Sequence, residues 1–251
     1  MIIDTHIHLY DPKYREDLKE IIRKAQENGI VKMVVVGFDE ESSRAAIELS
    51  QRFDFLFAAV GLHPEEVQNN RDADLHWLKI MATAPKVVAI GEIGLDYYWD
   101  KTYQKEQIAY FQKQMVMASD LNLPVLVHSR EASADTFEIL KNRIGRGVLH
   151  CYSGSLEMAR EFVKLGYYLG IGGVVTFKNS KEIKRVVTEI PLEHLLTETD
   201  GPYLAPAPYR GKLNKPEYLP LIIEAIGELK GIDRNIVEKS LFENAIKLFN
   251  I

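Results

Sequence analysis

Short apolar runs alternate along this chain with longer segments of helical spacing. Runs at Met1–Thr5, Lys32–Val36, Phe55–Val60, Val87–Ile90, Pro124–Val127, Gly147–Leu149, Tyr167–Ile171 and His194–Thr197 predict strands. Between them, helices are predicted over Tyr14–Asn28, Glu40–Arg52, Leu75–Thr83, Tyr103–Leu121, Ala134–Asn142, Leu156–Leu165 and Lys181–Glu189. The first carries its apolar face as Leu18, Ile21, Ile22 and Ala25 and stops at Gly29. Ser155 is positioned to cap the helix at Leu156, and Pro85 and Pro191 end two others. Two closing helices are predicted over Leu219–Leu229 and Arg234–Phe249.

Each strand is followed by a helix or a helix-bearing loop, which implies parallel strands joined by crossover helices. The runs are apolar at successive positions, as in a sheet covered on both faces. Eight such units over 251 residues predict a single α/β domain spanning 1–251, a (β/α)8 TIM barrel. An open doubly wound sheet is the alternative. It is weakened because no GxGxxG follows the first strand, and GEIG at Gly91–Gly94 lacks the third glycine.

Composition narrows the class. Hydrophobic residues make up 46% and charged residues 27%, which excludes collagen-like and disordered chains. Cys151 is the single cysteine, so no disulfide framework or cysteine zinc cluster can form within the chain. The net charge of −5 argues against a broad basic face for nucleic acid, though not against contact with a few phosphates. No apolar run approaches the ~20 residues of a membrane span, and Met1–His6 has neither a basic nor an apolar leader segment. The expectation is a cytoplasmic protein with no membrane association.

In a barrel of this kind the active site lies at the C-terminal ends of the strands. The polar residues there form a pattern. The first strand runs into His6 and His8, whose i, i+2 spacing directs both imidazoles to one side. The fourth runs into Glu92, the fifth into His128, the sixth into His150 and the eighth into Asp200. Any one of these could be structural, and Glu92 could pair with a basic residue. Together, four imidazoles and two carboxylates exceed what one mononuclear site needs. They suit two divalent ions with Glu92 as the shared carboxylate. Two ions ~3.5–4 Å apart can clamp the attacking and leaving oxygens of a phosphoryl transfer. Asp200 could bind one ion and accept a proton from water.

With these residues in view, the chain resembles the metal-dependent amidohydrolase superfamily, many members of which carry a carbamylated lysine where Glu92 stands. Glu92 occurs here with DTHIHL at Asp4–Leu9, GLHPEEV at Gly61–Val67, AIGEIGLDYY at Ala89–Tyr98 and LPVLVHSR at Leu123–Arg130. HCYSG at His150–Gly154, ETDGPYLAP at Glu198–Pro206 and YRGKLNKP at Tyr209–Pro216 complete a series that is similar to the TatD family of metal-dependent deoxyribonucleases. The position after the final Asp, varied in that family, is Gly201 here. The resemblance implies hydrolysis of DNA phosphodiesters, with 3′-to-5′ exonuclease action on single-stranded DNA or 3′ ends. Mg²⁺ is the usual activating ion; histidine ligands favour Zn²⁺, Mn²⁺ or Ni²⁺ on softness grounds. Relatives of the fold imply an alternative, a D-aminoacyl-tRNA deacylase or another metal-dependent ester or amide hydrolase. A monomer or weak homo-oligomer is expected.

Several further residues are candidates for substrate contact. His63 could protonate a leaving group or pack beneath Pro64. Arg130 could pair a phosphate or bridge to Glu131 or a helix acid. Arg210, Lys212 and Asn214, with Lys215, occupy a Pro- and Gly-containing loop that could face phosphate or merely form a solvated turn. Tyr97, Tyr98 and Trp99 could stack on bases or pack as lid or core. Cys151 reads as a small buried filler, and His76 and His194 as structural residues.

Overall fold

The computed structural model describes residues 1–70, 75–142 and 146–251. Eight strands, β1 (Ile2–Ile7), β2 (Ile30–Val36), β3 (Leu56–Val60), β4 (Val87–Asp96), β5 (Val125–Arg130), β6 (Gly147–Leu149), β7 (Tyr168–Ile171) and β8 (Leu195–Thr197), form one sheet in sequence order. Every pairing from β1–β2 to β7–β8 is parallel. The ring closes where the chain leaving β8 meets β1. A parallel bridge joins Ile7 to Gly201, with His8 N donating to Gly201 O at 2.8 Å and Asp200 N to His6 O at 2.9 Å. The molecule is a (β/α)8 barrel.

Around the sheet lie α1 (Leu18–Glu27), α2 (Glu40–Arg52), α3 (His76–Met81), α4 (Gln104–Asp120), α5 (Ser133–Lys141), α6 (Leu156–Lys164), α7 (Lys181–Glu189), α8 (Leu219–Lys230) and α9 (Arg234–Phe249). Their starts follow local chemistry. Asp39 accepts from Ser42 N while Ser42 returns a bond to the Asp39 N–H, a capping box at the start of α2. Ser155 accepts from Met158 N at the start of α6, as its place in the sequence predicts.

Strand parity sorts the core into two layers. One set of strand residues, including Met33, Val35, Leu56, Val127 and Leu149, packs outward against the helices. The alternate set, Val34, Val36, Ala59, Ala89, Leu126, Val148 and Leu196, clusters with Ala245, Leu248 and Phe249 of α9. This second cluster fills the lower interior of the barrel, and α9 closes its N-terminal mouth.

Three strands run further than the apolar pattern predicts. β1 extends to Ile7, β4 to Asp96 and β5 to Arg130. A polar residue does not end a strand whose parity turns it into a polar cavity. The first helix is shorter than predicted. Pro12–Tyr14 forms a separate 3-10 turn, and α1 begins at Leu18. Tyr14 turns into the core, where its hydroxyl donates to Asn214 O at 2.6 Å.

Candidate active site

The interior columns change character at one level. Two residues beyond Leu126 comes His128, then Arg130; two beyond Val148 comes His150; two and four beyond Leu196 come Glu198 and Asp200. Alternate strand residues face the same side, so the first polar residue of each column stands one level above an apolar one at the C-terminal mouth. His6 and His8 join them from β1. Glu92 enters from β4, where the register with β5 shifts between Ile90 and Ile93. Gly94 makes this approach possible. Its φ is +141°, and a Cβ there would lie 2.0 Å from His128 O.

Glu92 is the centre of the constellation. Its Oε2 lies 3.5 Å from His6 Nε2 and 3.9 Å from His8 Nε2. Its Oε1 lies 3.0 Å from His128 Nδ1, 2.9 Å from His150 Nε2 and 3.3 Å from His63 Nε2. Asp200 Oδ1 sits 3.8 Å from His6 Nε2 and 3.6 Å from His8 Nε2. The six residues expected to hold metal are therefore brought together, and the two Glu92 oxygens divide the imidazoles into two groups.

Hydrogen bonds on the far side of the rings fix which nitrogen faces inward. His8 Nδ1 lies 2.9 Å from Val36 O, an acceptor only, so in the neutral ring Nδ1 carries the proton and Nε2 presents a lone pair. His128 Nε2 lies 2.8 Å from Asp96 Oδ2, leaving Nδ1 as the lone-pair atom of the neutral ring. His63 is the reverse: its Nδ1 accepts from Glu65 N at 3.2 Å, so a neutral ring carries its proton on Nε2. His63 thus offers a donor where His8 and His128 offer acceptors.

This donor set fits divalent metal. In the neutral rings that a metal requires, the inward nitrogens of His8 and His128 present lone pairs beside carboxylate oxygens, the places a cation would occupy. His6, His8 and Glu92 place ligand atoms within 4.8 Å of one another, as do His63, Glu92 and His128. The tautomer at His63 separates it from the ligands. His6, His8, Asp200 and Glu92 Oε2 would hold one ion, and His128, His150 and Glu92 Oε1 a second. Behind them, His6 and His150 stack at 3.9 Å, and Glu198 lies fully buried beside them. Its Oε1 accepts from Cys151 N and is 3.5 Å from His150 Nδ1.

Protonation follows from burial and mutual charge. Burial alone would raise the Glu92 carboxyl; the His150 and His63 charges and hydrogen bonds from His128 and His150 hold it well below the usual range. Burial opposes charge on His150, yet Glu92 and Glu198 raise its pKa well above the ordinary value. His128 and His8 are raised against the same penalty, by Asp96 and Glu92 in one case and by Asp200 and Glu92 in the other. On His6, burial and the His150 charge win, and its pKa falls.

A cavity of about 930 Å³ opens above this centre. His63 and Arg130 line it. Arg130 lays its guanidinium over the rings of Tyr98 at 3.8 Å and Trp99 at 5.4 Å. Tyr97 is core, its hydroxyl donating to Asp135 at 2.8 Å, whereas Tyr98 and Trp99 are exposed. Three expected substrate contacts are not at the cavity wall. Arg210 packs on Phe177 at 4.5 Å, and Lys212 lies 5.8 Å from the Tyr209 ring. Asn214 is fully buried, with Nδ2 donating to Thr199 O and Tyr203 O, both at 2.7 Å. Its amide holds the loop after Asp200 in shape, because the buried carbonyls of that loop need a donor. Cys151 lines the cavity partly buried; burial, then Asp200, Glu198 and Glu92, push its thiol far up, which keeps it protonated.

Sequence reasoning passed over Asp96, Glu198 and Asp4. Asp96 orients His128. Asp4 is buried and accepts from Thr199 N at 2.9 Å and Thr199 Oγ1 at 2.6 Å, tying β1 to the segment that carries Asp200. Asp96 stands four beyond Glu92 and Glu198 two before Asp200, both at interior parity, which is the signal that would have found them; Asp4 pairs with the outward-facing Met33, so strand parity does not mark it.

An eight-stranded barrel with buried histidines and carboxylates at its C-terminal mouth defines the class of metal-dependent hydrolases. The chain belongs to the TatD family of that class: the family described as TatD related DNase matches residues 3–250. An uncharacterized metal-dependent hydrolase, YabD, from Bacillus subtilis is 44% identical over the full length of both chains. YjjV of Escherichia coli, also described as an uncharacterized metal-dependent hydrolase, is 33% identical over 99% of this chain and 98% of its own. The crystal structure of YjjV superimposes with a TM-score of 0.94, covering 100% of this chain and 98% of that one at 32% identity. An uncharacterized amidohydrolase from Saccharomyces cerevisiae shares the fold, with a TM-score of 0.84 at 19% identity and coverage of 99% of both chains. Among the described residues, no helix is long and apolar enough to cross a membrane.

Proposed function

We propose that the chain is a divalent-metal-dependent deoxyribonuclease that removes nucleotides from the 3′ end of single-stranded DNA. The observation that carries the reading is the division of the Glu92 oxygens, one toward His6 and His8 and one toward His128 and His150. That division suits a pair of ions clamping a phosphodiester between them. When bound, the ions would polarise the phosphoryl oxygens and acidify the attacking water. Asp200 accepts a proton from that water. The new bond forms at phosphorus, the bond to the neighbouring O3′ breaks, and a 5′-mononucleotide leaves. His63 delivers its Nε2 proton to the departing O3′, and Arg130 binds a non-bridging phosphate oxygen.

End-labelled single-stranded DNA, incubated with protein and added Mg²⁺ or Mn²⁺, tests the reading. Release of labelled mononucleotide from the 3′ end is expected. Metal-loaded protein that releases none would sink it. A second reading has one observation in its favour. Glu65 and Glu66 line the cavity and suit the ammonium of a D-aminoacyl ester. D-tyrosyl-tRNA assayed beside the DNA separates the two.

A further inference from the structure

Eight large hydrophobic side chains are exposed among the described residues, and four of them gather at the mouth of the cavity above the metal-binding centre: Trp99, Tyr203 and Leu204 line it, and Tyr98 packs against Trp99. Exposed apolar groups concentrated at one place mark a binding surface. They form two ledges. Tyr98 and Trp99 follow β4; Tyr203 and Leu204 follow β8. In an eight-stranded ring those two strands stand on opposite sides, so the ledges flank the metal-binding centre between them. The β8 ledge adjoins the centre itself, with the Tyr203 ring 6.2 Å from that of His8.

Both ledges are held in place. Arg130 braces the β4 ledge by lying over both of its rings. On the other side, Asn214 Nδ2 bonds to Tyr203 O, and Gly173 leaves room for Leu204 O, which a Cβ there would approach to 2.1 Å. Leu204 keeps a φ of +53°, costly for a branched side chain. Surfaces fixed in advance bind flat rings without an ordering cost.

Charge limits how far a polyanion can extend here. Beyond the proposed ligands and Asp96, the cavity wall carries Asp11, Glu65, Glu66 and Glu182 against Arg130 and Lys181. A phosphate at the metals is favoured; a tract of phosphates along this wall is not.

Resting on the nuclease reading, we infer that the cavity is a two-nucleoside site. The bases on either side of one scissile phosphate stack on the two ledges, and nothing beyond them is gripped. The enzyme then reads a chain end and not a tract. A dinucleoside monophosphate is cleaved with a kcat/KM within about tenfold of that for a long single strand. KM for the long strand rises by less than about tenfold between 50 and 200 mM salt, because only one or two phosphates are engaged.

The experiment measures kcat and KM for a deoxydinucleoside monophosphate, for the same compound with one base replaced by hydrogen, and for long single-stranded DNA. Wild-type, Trp99→Ala, Tyr203→Ala and Ile236→Ala proteins are compared. Ile236 on α9, intermediate in exposure between Trp99 and Tyr203 and absent from the cavity lining, serves as the control. Loss of one stacked base costs roughly tenfold in kcat/KM. The inference expects that loss for each ledge variant on the full dinucleotide. It also expects each ledge variant to show no loss on the abasic compound that lacks its own partner base, and Ile236→Ala to match wild type throughout. Efficient cleavage of long DNA with a hundredfold poorer dinucleotide, or ledge variants equal to Ile236→Ala, overturns the inference while leaving the nuclease reading intact. Failure of wild-type protein to cleave any of the three overturns both.

Discussion

Asp96→Asn isolates the part of the site that no single ligand controls. Asp96 is almost fully buried, and its backbone is clamped by paired bonds with Gln107, both of 3.0 Å. Its carboxylate accepts from two donors, Tyr98 N at 2.9 Å through Oδ1 and His128 Nε2 at 2.8 Å through Oδ2. A carboxylate satisfies both, since it is acceptor-only on each oxygen. An asparagine amide has one acceptor and one donor group. With its oxygen kept on Tyr98 N, its NH₂ faces His128 Nε2, which must then accept. The imidazole proton moves to Nδ1, the atom that faces Glu92 Oε1 and would bind metal. Outer partners of this kind are worth roughly ten- to a hundredfold in metal affinity, or about 1.4–2.7 kcal/mol. The metal-free fold should change by only about 1 kcal/mol, because packing and the Tyr98 bond survive. Calorimetric titration with Mn²⁺ or Zn²⁺, alongside thermal denaturation of metal-free protein, reads the two effects separately. Wild-type metal affinity in a normally folded Asp96→Asn protein would refute the argument that His128 is held in its working tautomer from behind.

Other expectations concern the same centre and its frame. Glu92→Gln keeps the side-chain volume but removes the charge facing both groups of imidazoles; elemental analysis should find fewer bound ions than in wild type, with unchanged circular dichroism, and full stoichiometry would contradict a bridging role. Metal binding requires neutral imidazoles, whereas His8, His128 and His150 keep their protons to a higher pH than free histidine does. Metal affinity should therefore climb as pH rises through the neutral range, with protons released on loading; calorimetry in two buffers of different ionisation enthalpy would detect none if the rings were already neutral. Gly94→Ala places a methyl into His128 O at a φ that alanine avoids; a loss of about 3 kcal/mol in urea unfolding is expected, and a neutral result would show that β4 and β5 can separate there.

The sequence by itself determined the barrel and most of its centre. Eight apolar runs separated by helical segments leave few topologies other than a parallel ring, because right-handed crossovers and burial on both faces prune the rest. His6 and His8 announce a shared direction through their i, i+2 spacing, and His128, His150 and Asp200 stand just beyond runs already recognised as strands. Glu92 was legible as a polar residue after Val87–Ile90, but its place inside a ten-residue strand was not. That depends on the register shift against β5, a contact between segments more than thirty residues apart.

What tertiary structure decided is which polar groups face one another. Arg210, Lys212 and Asn214 follow Asp200 closely in sequence and carry the right chemistry, yet the loop turns their side chains toward Phe177, Tyr209 and its own carbonyls. Trp99 and Tyr203 are 104 residues apart and share one cavity only because β4 and β8 lie across the ring. The tautomers of His8, His128 and His63 are set by Val36 O, Asp96 and Glu65 N, partners that pairwise spacing does not reveal. Local patterning fixes the elements, since it depends on the preference of each short segment for burial. The chemistry of the site depends on distances between segments, and those exist only once the ring has closed.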